Sequence, residues 1–240
     1  LKVSRDNIVD WVLFESSANP SDEFCETLIS TLERMLVLKS WPDKINSWSR
    51  SWAEAQAVFL YETFLYIVAA LSKTGSFGSL HDIFVSRYLW PETESRGKNQ
   101  LDSFHAFHAT SETLQILANE GRKLCAPAAE LISRQADRAD LPFKEIIQAE
   151  VLILLMSLIE PNTPWYPQTL YYYSQSGPLP FFARVAQHRY FKSIVQITGI
   201  DSADKIRELL NARFQQRNSL FNINEVSLRE IMNIDAWDTL

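Results

Sequence analysis

An all-α fold, a bundle of about nine or ten helices, is what this chain of 240 residues predicts. Three observations carry that reading. The chain holds six glycines in all, whereas β-sandwiches and dinucleotide-binding folds need glycine in their turns and phosphate loops. Apolar residues recur at helical spacing over most of the length, beginning with Ile8, Trp11 and Val12. The features that oppose helix are concentrated in one place, where residues 161–192 gather five prolines and nine aromatics.

The elements follow in order from local signals. A first helix stops at Asn19-Pro20, and Ser21-Asp22-Glu23 supplies a cap and an acidic first turn for a second, running to about Lys39. A third spans about 51–73 and ends at Gly75, and a fourth spans about 79–89, stopped by Pro91. The polar, breaker-rich run PETESRGKNQ at 91–100 reads as an exposed loop. Helices at about 101–121, 127–138 and 142–159 come next, the last apolar nearly all round, as the central helix of a bundle is.

Proline and aromatic content then predict a short extended segment near 165–173, with Tyr171 and Tyr173 on one side and Tyr172 on the other. Helix resumes over 181–198 and ends at Gly199. Asp201 and Ser202 cap another helix to about Arg217, and a short helix with an acidic tail completes the chain. The expected organisation is a single domain over 1–240, with a sub-boundary near 160 between a helical bundle (1–160) and an aromatic, basic portion (161–240).

The net charge of −6 hides an asymmetry. Residues 1–160 carry 15 basic and 22 acidic groups, residues 161–220 carry 7 and 3, and residues 221–240 carry 1 and 4. An acidic total argues against a dedicated nucleic-acid binder, while a local positive patch still steers an anionic ligand. Cys25 and Cys125 form no C-x-x-C pair and read as reduced, buried thiols. The apolar run 57–71 is interrupted by Glu62 and falls short of the roughly 20 residues of a membrane span. A soluble, cytoplasmic protein with no membrane contact is expected. The first residue, Leu1, suggests a processed chain or a domain of a longer one.

Catalytic motifs are sparse. No Walker loop, G-x-S-x-G elbow or G-x-G-x-x-G occurs. The His81-Asp82 doublet lacks the upstream histidine that metal-dependent phosphohydrolases require, and Arg184 and His188 stand closer together than the Arg/His pair of HEPN-type RNases. His105, His108 and Glu112 would fall within roughly a 60° arc of one helix, a spacing that suits a metal ion shared between adjoining turns. Such a site needs ligands from a second helix, and Glu150 is the attractive one. A buried carboxylate there must be paired, with His105, His108 or an arginine as expected partners.

Arg184, His188 and Lys192 stand at i, i+4 and i+8 of the expected helix 181–198, a continuous positive stripe opposite the apolar arc of Phe182, Ala186, Tyr190, Ile194 and Ile197. Trp165, Tyr166, Tyr171 and Tyr173 lie just upstream and would extend this surface. In the competing structural reading, those aromatics close the end of the bundle. The function expected from the whole is a non-catalytic interaction or regulatory module, using the 165–192 surface to bind a protein partner or a phosphate-bearing ligand, with no cofactor implied. A metal-dependent enzyme at His105, His108 and Glu112, and nucleic-acid binding through the basic helices 184–217, are the alternatives.

Overall fold

The computed structural model describes residues 1–18, 20–39, 53–90, 100–111, 113–114, 116, 126–160, 165–173, 177–216 and 225–240. The protein is all-α, a multi-helix architecture with ten helices and one two-stranded ribbon among the described residues. It divides into two compact units, Leu1–Ile146 and Ile147–Leu240. Glu112, Cys125, Arg217, the expected loop at 91–99 and the 117–121 part of an expected helix lie outside the described residues.

In the first unit, α1 (Lys2–Ser17) turns Arg5, Val9, Val12 and Ser16 inward, a stripe at helical spacing that packs on α3 (Glu54–Thr74). The helix α2 (Asp22–Met35) starts as the sequence predicts, with Ser21 Oγ accepting the Phe24 N–H at 3.2 Å, and tightens into a 3-10 turn at Leu36–Lys39. Residues 58–71 of α3 are all buried. By length and composition α3 would also cross a membrane, but 78% of the relevant window is buried within the fold. Gly75 ends it in the left-handed region at φ 77°, where a side chain would be strained.

The polar residue inside α3 is matched by one inside α1. Glu62 and Arg5 form a buried ion pair, and the Arg5 guanidinium also lies 4.3 Å from the centre of the Tyr66 ring. Burial pushes the Glu62 carboxyl above its ordinary range, against the pull of Arg5. At the rim of this pair Arg138 binds Asp10 at 2.6 Å and Asp140 at 2.7 Å, and its hydrogen bonds hold the Asp140 carboxyl below the usual range.

The helix α4 (Phe77–Val85) is shorter than expected, and the expected helix over 101–121 begins otherwise. Strands β1 (Tyr88–Trp90) and β2 (Gln100–Asp102) pair antiparallel with Leu89 opposite Leu101, and Phe104–Phe107 forms a 3-10 turn. Ring packing decides this. Phe107 stacks on Phe64 at 4.6 Å and meets the edge of Tyr88 at 5.0 Å, while Phe104 meets Phe84 at 5.3 Å. A spacing of three places both phenylalanines on one side of a 3-10 turn as readily as on a helix. The unit's last complete helix is α5 (Pro127–Gln135), with proline at its first position.

The division between units falls inside α6 (Phe143–Ile159). Every residue of α6 from 146 to 158 is buried, including the polar Gln148, Glu150 and Ser157. In the second unit α6 is followed by a 3-10 turn at Thr169–Tyr172 and by α7 (Pro180–Arg184), α8 (His188–Thr198), α9 (Ala203–Gln216) and α10 (Glu225–Met232). Arg213 of α9 donates to the Leu158 and Glu160 carbonyls, both at 3.2 Å, satisfying the end of α6. After α10, Asn233 reverses the chain at φ 52° into a strap, residues 234–240.

Two expectations are corrected in this unit. The aromatic segment near 165–173 is not extended throughout, because Thr169–Tyr172 winds into the 3-10 turn whose first N–H is received by Glu150. The expected continuous helix over 181–198 is two helices, parted at Val185–Gln187. The carbonyls of Val185 and Ala186 at the break accept N–H groups from the strap in place of helical partners.

Candidate binding surface

The polar residues of α6 place the aromatic segment. Glu150 Oε1 accepts the Trp165 indole N–H at 3.0 Å, and its Oε2 accepts both the N–H and the hydroxyl of Thr169 at 2.6 Å. Ser157 Oγ accepts the Trp165 backbone N–H at 3.0 Å. Gln148 Oε1 receives the Phe181 N–H at 2.8 Å, satisfying an orphan donor at the start of α7. Glu150 is buried and paired as the sequence requires, but these hydrogen bonds come from Trp165 and Thr169 rather than from a histidine or an arginine.

The predicted aromatic surface therefore splits. Trp165 is fully buried and belongs to the core. Tyr166 and Tyr171 are half-buried and join hydroxyl to hydroxyl, and Tyr173, also half-buried, donates to the Gly177 carbonyl at 3.1 Å. Only their rims reach solvent. Thr169–Tyr172 takes helical handedness, so the alternating sides expected of Tyr171–Tyr173 do not arise.

The cations fare differently. Arg184, His188, Arg189 and Lys192 are all exposed. They form no single-helix stripe, because Arg184 closes α7 while His188 opens α8. Arg184 and His188 flank the elbow between the two helices, and Arg189 and Lys192 follow along α8. His188 Nδ1 pairs with Asp238 Oδ1 at 2.7 Å. Arg189, which sequence reasoning passed over, bonds Gln187 Oε1 at 3.1 Å and lies 4.6 Å from the centre of the Tyr190 ring. Arg184 and Lys192 have no ion pair among the described residues.

The neighbouring arginines are committed internally. Arg207 donates to the Ile234 carbonyl at 3.1 Å and to that of Trp237, Arg213 holds the end of α6, and Arg229 binds Asp235 at 2.7 Å and Asn211. Two of the seven Lys and Arg residues over 184–217, Arg207 and Arg213, thus hold the unit together, as Arg229 does beyond that range.

The expected metal ligands lose their common helix. His105 sits in the 3-10 turn with Nδ1 2.7 Å from Ser103 Oγ and its ring stacked on Phe104 at 4.3 Å. His108 follows that turn in extended backbone and sets its ring against Tyr61 at 5.8 Å. Glu112 is outside the described residues, and among those described no three His, Cys, Asp or Glu gather into a group able to hold a metal. Cys25 is a buried free thiol 3.3 Å from Asp82, its pKa raised first by burial. No protein-family model, curated protein or solved structure shows significant similarity to the chain.

Proposed function

We propose that the protein is a soluble, cytoplasmic, non-catalytic interaction module whose second unit binds an acidic segment of a protein partner at the α7–α8 elbow. One observation carries the reading. Arg184 and Lys192 are exposed and free of ion pairs among the described residues, while Arg207, Arg213 and Arg229 of the same unit are held by carbonyls and carboxylates. Cations that the fold does not use are available to a ligand at little desolvation cost. The half-buried Phe181 and Tyr190 belong to the same two helices, and Arg189 lies over the Tyr190 ring, a mixture of apolar and cationic groups common at protein interfaces.

The test is fluorescence anisotropy with a labelled polyglutamate peptide. The double variant R184E/K192E is expected to bind at least about tenfold more weakly, since the loss of two steering charges and the gain of two repulsive ones each act at the contact. Its melting temperature should stay close to that of the unsubstituted chain. Equal affinity for both proteins, or unfolding of the variant, would overturn the reading. Tighter binding of a single-stranded RNA with a steep salt slope would favour the nucleic-acid alternative instead.

A further inference from the structure

We propose that Asp238–Leu240 is an internal occupant of the α7–α8 elbow, and that an acidic partner segment binds by displacing it; this rests on the elbow being a binding surface. The strap reaches the elbow as a peptide ligand would. The N–H of Asp238 donates to the Val185 carbonyl at 3.1 Å, and those of Thr239 and Leu240 donate to the Ala186 carbonyl at 3.0 Å. In return His188, the first residue of α8, donates its N–H to the Leu240 carbonyl at 3.3 Å. The Asp238 carboxylate completes the set on His188 Nδ1. A short acidic peptide turn is therefore the chemistry that this elbow already accommodates, on the two helices that carry Arg184, Arg189 and Lys192.

The strap is anchored by buried side chains at its root and by backbone hydrogen bonds beyond it. At the root Trp237 is buried, stacked on Phe182 at 6.2 Å, and its indole N–H donates to the Met232 carbonyl at 2.6 Å. Arg207 holds the carbonyls of Ile234 and Trp237. Beyond the root, the Leu240 side chain is exposed, and the 2.7 Å hydrogen bond joins a His188 side chain 70% exposed to an Asp238 side chain 30% exposed. Exposed pairs of this kind hold weakly. Asp238 also sits at φ 56°, one of two non-glycine residues in the left-handed region among those described. Aspartate is among the few L-residues that take up that conformation, and it is what turns the chain back onto the elbow. When Asp238–Leu240 leave the elbow, Trp237 stays anchored.

The experiment uses the full chain, the labelled polyglutamate peptide and the variant D238N. Asparagine matches the size of aspartate and tolerates the left-handed region, so the fold is kept while the competing charge is lost. Binding is expected to tighten about two- to fivefold, the range set by an exposed ion pair. In amide-resolved NMR, saturating peptide should move the Thr239 and Leu240 signals of the unsubstituted chain to disordered positions. Unchanged or weaker binding by D238N, or a strap that keeps its signals while peptide binds, would overturn the displacement. If that happens while R184E/K192E still weakens binding, the elbow stands as a surface and the strap alone is dismissed. If neither the unsubstituted chain nor D238N binds the peptide, the proposed function falls together with this inference.

Discussion

Glu150 and Thr169 meet through one carboxylate oxygen that accepts both the backbone N–H and the hydroxyl of the threonine at 2.6 Å, inside a fully buried site. With the Trp165 indole on its other oxygen, Glu150 satisfies three donors that have lost contact with water. E150A leaves all of them exposed to an apolar interior. It is expected to cost about 3–5 kcal/mol, the range for removing one partner of a buried charged network. T169V, which removes the hydroxyl alone, should cost about 1 kcal/mol. Urea denaturation of the two variants measures both. An E150A loss under about 1 kcal/mol would show that the site is wet.

The Arg5–Glu62 pair makes a different prediction, because both charges are buried and Arg5 is the ion-pair partner of Glu62 while Asp6 shares the guanidinium. E62A leaves the Arg5 guanidinium with Asp6, which accepts from its Nε at 3.0 Å and its Nη2 at 2.8 Å, and should cost about 3 kcal/mol, the low end for breaking a buried pair. Replacing both with apolar residues of similar volume, as in R5M/E62L, should recover most of that loss. A double variant as unstable as E62A would mean that Arg5 contributes through Tyr66 and Asp6 instead.

Tyr66 is buried, and its hydroxyl has no hydrogen-bond partner among the described residues. Burial is the main reason its pKa is pushed up to about 12 from 10.0. A folded pKa raised above the unfolded one gives stability that is complete below pH 10 and lost as pH rises through 12. The amount is roughly 2–3 kcal/mol over that window. Y66F should flatten the alkaline limb of a stability–pH profile. At pH 7 it should be neutral or slightly stabilising, since the ring beneath Arg5 is kept.

Trp237 is the root of the strap, and its truncation separates anchoring from charge. W237A removes a buried indole stacked on Phe182 and should cost about 3–5 kcal/mol. W237F keeps the stacking and loses only the bond to the Met232 carbonyl, about 1 kcal/mol. A thermal melt of each checks the difference.

What the sequence made legible was local. Ser21 as a cap, and Gly75 and Gly199 as left-handed helix ends at φ 77° and 70°, follow from the chemistry of single residues. So did the continuous burial of α6 and the need of Glu150 for partners. What stayed hidden depends on residues far apart in the chain. The ribbon at Tyr88–Trp90 and Gln100–Asp102 was masked because Phe104 and Phe107 repeat at a helix-like interval. The break at Val185–Gln187 carries no glycine or proline. Its carbonyls find partners only in Asp238–Leu240, which no pattern within 181–198 announces. Arg184, His188 and Lys192 are exposed, but the break divides the continuous stripe expected of them between two helices.

One consequence of the buried polar residues of α6 concerns time rather than stability. At about 100° per residue, Glu150 and Ser157 lie on one side of the helix and Gln148 on the opposite side. Trp165 and Thr169 meet the first side and Phe181 the second, so the described segments 165–173 and 177–181 hold α6 from opposite sides, as the two arms of a belt. A belt has nothing to close on until its post is standing. Protection of the Trp165, Thr169 and Phe181 amides in pulsed hydrogen exchange is accordingly expected to appear after that of α6, and simultaneous protection would mean that helix and belt form as one.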